Sequence, residues 1–332
     1  MKLTGIYRLR WIGVFALLMG ALAMVITPSA WAKYPQDKNI RVIIHVPAGG
    51  STDVMSRIIT SFMAPKLGTK FFIEEHAGAG GQIGYTELSK AKPDGYNIGA
   101  ITTMSCISHE FTRKNLPYTL RGSFIPICQW FDDSSGLYVL ADSPIKTLDD
   151  LIQTAKKKGG KMTCAGSIIW GVHHLHMLLL AEAAGFKMTF MPSDGSSDTR
   201  AALLGGHVDA AFGGVSDYGY LIKQGKLRGL AIARDSRFKD FPDWPTYKEL
   251  GYDIALGSLN GFAAPAGTPQ EYVDLLDNAV KETFQDKGFR KASRTVNMAL
   301  VLSYKSGKDF RDTLYKLQDS LRPVFKKYYK KK

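Results

Sequence analysis

A short strand that runs directly into the start of a helix constrains the fold of this 332-residue chain more than any other feature. Residues 42–46 form a β-branched run typical of a buried strand, and Pro47 ends it. Gly49 and Gly50 follow, and residues 54–63 then carry apolar side chains at helical spacing. Such a junction directs unpaired backbone N–H groups and the positive end of a helix dipole towards one point, which suits an anion. An ordinary strand-to-helix turn explains the same pattern.

The residues at this junction carry the side chains that helix N-termini favour. Ser51, Thr52 and Asp53 are N-cap types, so we expect the helix to begin among them. A nucleotide-binding P-loop is excluded because the lysine of that motif is missing.

The first 32 residues have the features of a secretory signal peptide. Lys2, Arg8 and Arg10 precede an apolar run, and residues 30–32 fit a cleavage site between small residues. A single membrane anchor is the alternative, but the apolar run is short for one. Cleavage after Ala32 would release the protein into the periplasm, and the loss of these three basic residues would change the formal net charge from +13 to +10.

The mature chain remains basic, which favours acidic partners through long-range electrostatic steering. Nucleic acid is the obvious rival partner, but the sequence has no recognition motif for it, and export argues against it. Much of the positive charge lies in two lysine clusters, at residues 156–161 and 326–332, which we expect to be solvated. We therefore predict no nucleic-acid partner.

Three cysteines, Cys106, Cys128 and Cys164, fall outside any metal-binding or redox motif. An odd number in an oxidising compartment leaves at least one unpaired thiol unless two chains pair. We expect all three to be small buried residues, and one disulfide with a free thiol is the alternative.

Strands and helices alternate along the mature chain. Up to residue 102 the order is β-α-β-α-β, which is typical of a parallel sheet with helices on its faces. A second α/β unit begins with a strand at 137–140, and its first helix has an N-cap candidate, Thr147, with Asp150 three positions later. Three helices close the chain, at residues 271–283, 286–296 and 307–328. No low-complexity linker separates the units, so we expect short strands to cross between them.

The sequence gives no positive support for catalysis. His173 and His176 share a helix face but His174 does not, and no further metal ligand follows them. The adjacent carboxylates Asp132 and Asp133 point apart, and we expect them to be turn and cap residues. A G-x-S-x-G nucleophile motif is missing. We predict no catalytic residue, no metal and no cofactor, hence no enzyme.

Two more loops of small residues precede helices in the second unit. Residues 195–199 (Gly-Ser-Ser-Asp-Thr) follow a strand that ends at Pro192, and residues 165–167 (Ala-Gly-Ser) end another strand. Helix starts from two α/β units that face one cleft would hold a small acid at both of its ends.

A series of short motifs covers nearly the whole mature chain in a fixed order. The series includes PAGGSTD at 47–53, GAGGQIG at 78–84, KPDGY at 92–96, LLGGHVD at 203–209, FPDWPT at 241–246 and APAGTP at 264–269. Each motif is weak alone, but the ordered series resembles the extracytoplasmic solute-binding receptors of tripartite tricarboxylate transporters, known as Bug receptors.

This resemblance implies an α/β, two-lobed periplasmic-binding-protein fold of type II, with two parallel or mixed sheets, flanking helices and a hinge. We expect residues 33–131 plus 255–332 to form one lobe and residues 132–254 the other. The implied function is capture of a small organic acid, a mono- or dicarboxylate and also an aromatic one, for delivery to membrane transporter subunits. A ligand-sensing module for a membrane sensor kinase, or an enzyme on a similar fold, is the alternative.

In the family, loops that open two helices hold one ligand carboxylate, and a third loop contributes from the second lobe. The predicted ligand-binding residues are Ala48, Gly49, Gly50, Ser51, Thr52, Asp53, Ser167, Trp170, Gly171, Gly195, Ser196, Ser197 and Asp198. Each of them has a capping or turn role as its alternative. The sequence departs from the family at 168–172, a loop that is usually small and glycine-rich, so Trp170 is expected either to stack on the ligand or to be buried in its lobe.

Overall fold

The computed structural model of the protein describes residues 34–193, 195–254, 256–296 and 298–329. The predicted signal peptide and Asp194 lie outside these ranges. None of the helices within them is long and apolar enough to cross a membrane.

The first part of the chain has the predicted β-α-β-α-β order and then adds a helix that the sequence did not indicate. Its elements are β1 (Ile40–Ile44), α1 (Ser51–Leu67), β2 (Phe71–Glu75), α2 (Gln82–Lys90), β3 (Asn97–Thr102), α3 (Thr103–Thr112) and the single turn α4 (Leu120–Ser123). A long strand, β4 (Phe124–Leu140), follows.

The second α/β unit follows β4. Its elements are α5 (Leu148–Lys158), β5 (Thr163–Ser167), α6 (Val172–Ala184), β6 (Thr189–Ser193), α7 (Ser196–Leu204), β7 (Ala210–Gly214), α8 (Val215–Lys223) and β8 (Leu227–Ile232). The predicted cap of its first helix is confirmed, because Thr147 and Asp150 form a reciprocal capping box.

The chain closes with two strands and three helices. They are β9 (Gly257–Pro265), α9 (Gln270–Gln285), α10 (Lys287–Thr295), β10 (Leu302–Ser306) and α11 (Gly307–Tyr328). The three closing helices match the prediction, whereas β9 and β10 were not predicted. Glycine and alanine dominate β9, and the glycine is required: a side chain at Gly261 would collide with the Cys128 carbonyl oxygen of β4.

The strands form two mixed sheets that are joined through β4, the strand they share. In the first half, β1 pairs in parallel with β2 and β3, and β9 runs antiparallel between β3 and β4. In the second half, β5 pairs in parallel with β6 and β7, while β7 and β8 are antiparallel to β4. Strand β10 pairs with β4 in the first half. The predicted α/β class is confirmed, and β4 joins its two halves.

Strand β4 changes partners in its middle. Up to Ser134 it pairs with β9. From Ser135 it pairs with β7, and from Gly136 it also pairs with β8. The sequence indicated only residues 137–140, because Asp132–Gly136 has a low intrinsic preference for strands and is held extended by neighbouring strands. The prediction that Asp132 and Asp133 lie in a turn was therefore wrong.

Helices cover both faces of the sheet. Alternate residues of β1 belong to different hydrophobic clusters. The cluster of Ile43 includes residues of α2, α3, α5, α6 and α11. The cluster of Val42 and Ile44 includes residues of α1, α7, α8, α9 and α10. Cys106, Cys128 and Cys164 are all buried in this core as free thiols, which confirms the first expectation for them.

Candidate functional site

The loops predicted to bind the ligand lie at strand ends that point towards each other. Strand β4 runs in the same direction as β1 and β3, and β5, β6 and β7 run in the opposite direction. Both sets end beside residues 131–135 of β4, which we call the crossing segment. Thr102 at the end of β3 is opposite Asn260 of β9, and Asn260 pairs with Phe131. Gly214 at the end of β7 is opposite Ser135. In open α/β sheets, ligands bind at the carboxyl ends of strands.

The first loop leaves the start of α1 without a side-chain cap. The helix begins at Ser51, and Gly50 is its N-cap with φ −73° and ψ 162°. Ser51, Thr52 and Asp53 therefore lie inside the first turn, so the prediction that one of them is the N-cap was wrong. Their backbone N–H groups have no acceptor within the helix. Gly50 adds no side chain in front of this helix start.

Asp53 reaches back along this loop. Its Oδ2 accepts a hydrogen bond of 2.9 Å from the Gly49 N–H, and its Oδ1 accepts one of 2.8 Å from Arg57. The Asp53 side chain is buried, whereas Ala48 and Gly49 are exposed. The Gly49 amide is thus already occupied, and Asp53 fixes the loop from behind.

Thr52 is tied to the strand that returns between the two halves. Its hydroxyl accepts a hydrogen bond of 3.2 Å from the amide of Asn260, and both side chains are buried. Asn260 belongs to β9, so the start of α1 is positioned by the sheet itself. This partner could not be predicted from sequence, because 208 residues separate the pair.

The second loop repeats the arrangement of the first. Helix α7 begins at Ser196 with Gly195 as its N-cap, in an extended conformation and without a side-chain cap. Ser197 and Asp198 are exposed. Behind the loop, the Ser193 hydroxyl lies 2.5 Å from that of Thr199 and donates to the Gly195 carbonyl at 2.9 Å. This helix start is therefore also held from inside and open outside.

The third loop differs, because its amides already have acceptors. The N–H groups of Ser167 and Trp170 donate to the Nδ1 atoms of His173 and His174, at 3.4 and 3.1 Å. The Gly171 N–H donates to the Ile168 carbonyl at 3.1 Å. Ser167, Trp170 and Gly171 thus offer a ligand few free amides.

The histidines of the third loop act as neutral acceptors. Burial lowers the pKa of His173 and of His174 to about 4, so both imidazoles are uncharged at neutral pH. The hydroxyl of Ser167 lies 2.9 Å from Nδ1 of His173, which adds a second contact to this loop. Among the described residues, no group of three or more His, Cys, Asp and Glu side chains could hold a metal ion.

Trp170 connects the third loop to the C-terminal helix. Its ring centroid lies 5.1 Å from that of His174, 6.0 Å from Phe325 and 5.4 Å from Tyr329. Trp170 is half-buried and has a positive φ of 66°, an uncommon conformation for a bulky residue. These contacts support its alternative role as a packed residue.

The loop before α2 meets the third loop directly. A Cβ added at Gly80 would lie 3.4 Å from the Ile168 side chain. Arg113 holds this loop from the first half, because its guanidinium donates to the Ala79 carbonyl at 2.6 Å and to the Gln82 side chain. The sequence did not single out Arg113.

A fourth helix start, that of α8, is filled by the protein's own carboxylate. The Asp133 side chain accepts hydrogen bonds from the Ser216 N–H at 3.2 Å and from its hydroxyl at 2.5 Å. Gly214 makes room for this carboxylate, which a side chain at that position would strike. Burial raises the pKa of Asp133 to about 7. Asp133 thus lies in a strand and holds the start of a helix 83 residues away, whereas the sequence suggested a local turn or cap.

A protein-family model matches residues 55–311 of the chain, and its description is "Tripartite tricarboxylate transporter family receptor". A Cupriavidus necator protein, "UPF0065 protein in gbd 5'region", is 34% identical over 272 residues, which is 80% of this chain and 80% of that protein.

Solved structures agree with this match. A structure described as a periplasmic transporter is 30% identical, with a TM-score of 0.81, and the similarity covers 89% of this chain and 98% of that one. MatC from Rhodopseudomonas palustris with bound malate is 23% identical, with a TM-score of 0.78, over 87% of this chain and 99% of that one. The predicted two-lobed periplasmic-binding-protein fold is thereby confirmed.

Proposed function

The chain belongs to the family of tripartite tricarboxylate transporter receptors, and we propose that it delivers a small mono- or dicarboxylate from its interlobe cleft to the membrane subunits of such a transporter. Members of this family are periplasmic substrate-binding receptors and not enzymes. Signal-peptide cleavage after Ala32 is part of the proposal. So are lobes formed by residues 33–131 plus 255–332 and by residues 132–254. Strand β4 exchanges its partners close to this boundary, between Ser134 and Ser135.

One observation carries this proposal. Helices α1 and α7 each have a glycine N-cap without a side-chain hydrogen bond, and each follows a strand whose end points towards the other. We assign the ligand carboxylate to the amides that follow Gly50 and Gly195. A helix N-terminus contributes roughly 0.3–1 kcal/mol to an anion, up to ~2 when partly buried. Each charge-assisted hydrogen bond adds about 1.5–3 kcal/mol. Several such bonds reach the ~8 kcal/mol of a micromolar site after association costs.

The candidate residues fall into two groups under this proposal. Those of the first two loops contact the ligand through main-chain N–H groups and hydroxyls, except that the Gly49 amide is taken by Asp53, which holds its loop from behind. Those of the third loop shape the cleft wall, because their amides donate within the protein. Malate in MatC, a protein of the same fold, supports a carboxylate as the ligand class.

Gly50→Val and Gly195→Val test the assignment by placing a side chain over each helix start. Neither glycine has a positive φ, and a Cβ would meet nothing closer than 3.6 Å at Gly50 and nothing within 4 Å at Gly195. The loss of a glycine N-cap costs about 1 kcal/mol, so both variants should remain folded. Calorimetry would compare them with wild type, each stripped of bound ligand by unfolding and refolding, against mono-, di- and tricarboxylates including malate.

We expect each valine variant to show no binding at concentrations that saturate wild type. Ser61→Val, on the exposed side of α1, is the control and should bind like wild type. Unchanged affinity in both glycine variants would refute the assigned amides, and the failure of wild type to bind any acid of the panel would refute the receptor function.

A further inference from the structure

A cavity of about 660 Å³ lies beside the crossing segment of β4. Its walls come from the crossing segment, the start of β9, the residues after β8, β10 and helix α11. None of the predicted ligand-binding residues lines it. Ligand pockets in proteins usually have about 300–1,000 Å³, so the volume suits a small molecule.

Three basic side chains line this hinge cavity. Arg234 follows β8, Lys305 lies in β10 and Lys316 in α11, and none of the three has an ion-pair partner within 4 Å among the residues that the structure describes. Of the two carboxylates in the wall, Asp235 is exposed and pairs with Lys248 at 3.5 Å. The cavity therefore carries positive charge that is not neutralised by pairing.

The second carboxylate, Asp132, is outnumbered by the three basic side chains of the wall. Burial raises its pKa, which favours the neutral acid, while Lys305 and Arg234 oppose that shift. Asp132 lies shortly before Ser135, the residue at which β4 begins to pair with its second set of strands. The two cations that flank it come from different halves of the molecule, Lys305 from the first and Arg234 from the second.

Two of the basic groups are held in place by neighbours. The guanidinium carbon of Arg234 lies 3.7 Å from the centroid of the Phe238 ring, which is a stacking contact. The Lys305 amine lies 3.5 Å from the Thr313 hydroxyl. Leu256, Leu259 and Leu317, which are buried or half-buried, also line the cavity. The wall thus combines basic groups with apolar surface.

From this arrangement we infer that the hinge cavity is a second binding site, for a small organic monoanion with a short apolar body. The anionic group would lie between Arg234, Lys305 and Lys316, and the carbon chain would cover the leucines. Since the walls come from both halves of the molecule, occupancy depends on their relative position. A ligand here is therefore linked thermodynamically to opening and closing of the cleft.

Hexanoate is a suitable probe, and acetate is its counterpart without the apolar chain. Calorimetric titrations would use the full mature protein carrying Gly50→Val and Gly195→Val, so that carboxylate binding at the two helix starts is blocked. We expect one saturable hexanoate site in this protein, and at least tenfold weaker binding of acetate, because acetate leaves the leucines uncovered.

Charge removal locates the site. In the same background, Lys305→Gln with Lys316→Gln should weaken hexanoate binding at least tenfold, and Arg234→Gln should do the same. Lys326→Gln removes one charge, as Arg234→Gln does, from an exposed position on α11 outside the cavity, and should change the affinity less than twofold. Thermal unfolding of each variant confirms that it is folded.

The inference is overturned if the valine background shows no saturable hexanoate site, or if loss of the cavity cations has no more effect than Lys326→Gln. These outcomes are separate from a failure of the proposed function, which is judged by malate-type ligands and by the two glycine variants in an otherwise unchanged protein.

Discussion

The carboxylate of Asp133 accepts hydrogen bonds from both the N–H and the hydroxyl of Ser216, and so ties the crossing strand β4 to the first turn of α8. This contact joins the hinge to the second lobe at a buried point. It also explains why α8, unlike α1 and α7, offers no free helix start for a ligand.

Asp133 should give the protein a distinctive dependence of stability on pH. Its pKa is about 7 in the folded state against 3.8 ordinarily, so between these values the folded state binds more protons than the unfolded one. The free energy of unfolding contributed by this group therefore falls as the pH rises through that window. Asp133→Asn removes this contribution. In urea unfolding at pH 5, 6, 7 and 8, the unfolding free energy of the variant should therefore rise relative to that of wild type as the pH increases.

Asp149→Asn is the control for this experiment, since Asp149 is exposed in the first turn of α5. It should follow the wild-type curve. Parallel curves for Asp133→Asn and wild type would contradict the prediction.

The sequence predicted those parts of the fold that depend on local pattern. The strand–loop–helix junction at residues 40–67 and the capping box of Thr147 follow from side chains close together in the chain, and both are present. Strand β4 was mostly missed because Pro126, the aspartates and Gly136 disfavour a strand locally, and pairing with β9, β7 and β8 overrides that preference.

The candidate site was predictable to the same extent. Loops with glycines and hydroxyls mark helix starts in the sequence, but the sequence does not reveal which amides are already used. The occupancy of the Gly49 amide by Asp53 and of the third-loop amides by His173 and His174 depends on side-chain orientation. Pairs such as Thr52 with Asn260 join residues from opposite ends of the chain.

Buried histidines should make the protein sensitive to mild acid. Burial lowers the pKa of five of them from 6.5 to about 3 or 4: His45, His109, His173, His174 and His176. Between pH 4 and 6.5 the unfolded state binds more protons, so stability is lost as the pH falls through this window. His173→Asn keeps an acceptor for Ser167 and cannot be protonated, so its unfolding free energy should decline less than that of wild type.

His207→Asn is the matched control, because His207 is exposed. Its curve should coincide with that of wild type from pH 7 to pH 4. Equal acid sensitivity of His173→Asn and wild type would show that this imidazole does not contribute.

Asp53 should act on binding through the loop that it holds. Asp53→Ala removes the acceptor of the Gly49 amide and the partner of Arg57, which should lower the unfolding free energy by about 1–3 kcal/mol. We expect carboxylate affinity to fall by about tenfold, and Asp53→Asn, which keeps an acceptor oxygen, to restore most of it. Calorimetry and urea unfolding measure the two effects.

Glu75→Gln provides the control, since it alters the other partner of Arg57 and leaves the bond between Asp53 and Gly49 intact. Affinity should be unchanged in this variant. If it weakens binding as much as Asp53→Ala does, the guanidinium and not the loop amide is the important partner.

The three thiols should be inert in the folded protein. Burial raises the pKa of Cys164 to about 12 and also raises the pKa values of Cys106 and Cys128, so no reactive thiolate forms at neutral pH. A chromogenic thiol reagent should detect none of them in native protein and all three after denaturation. Fewer than three thiols in denatured, unreduced protein would indicate a disulfide.

The contact between Trp170 and Tyr329 should stabilise the arrangement of the two lobes. Their ring centroids lie 5.4 Å apart at an interplanar angle of 90°, and the Tyr329 hydroxyl donates to the Thr112 carbonyl at 2.6 Å. An edge-to-face pair contributes about 0.5–1.5 kcal/mol beyond its buried area. A double-mutant cycle of Trp170→Ala and Tyr329→Ala, measured by urea unfolding, should give a coupling energy of that size.

Ligand binding distinguishes this packing role from direct stacking on a ligand. If Trp170 acts through Tyr329, both single variants should change carboxylate affinity by a similar factor, for aromatic and aliphatic acids alike. A loss confined to Trp170→Ala, and larger for aromatic acids, would instead place the indole against the ligand. Tyr220→Ala, in α8 of the other hydrophobic cluster, is the control, and its cycle with Trp170→Ala should be additive within about 0.3–0.5 kcal/mol.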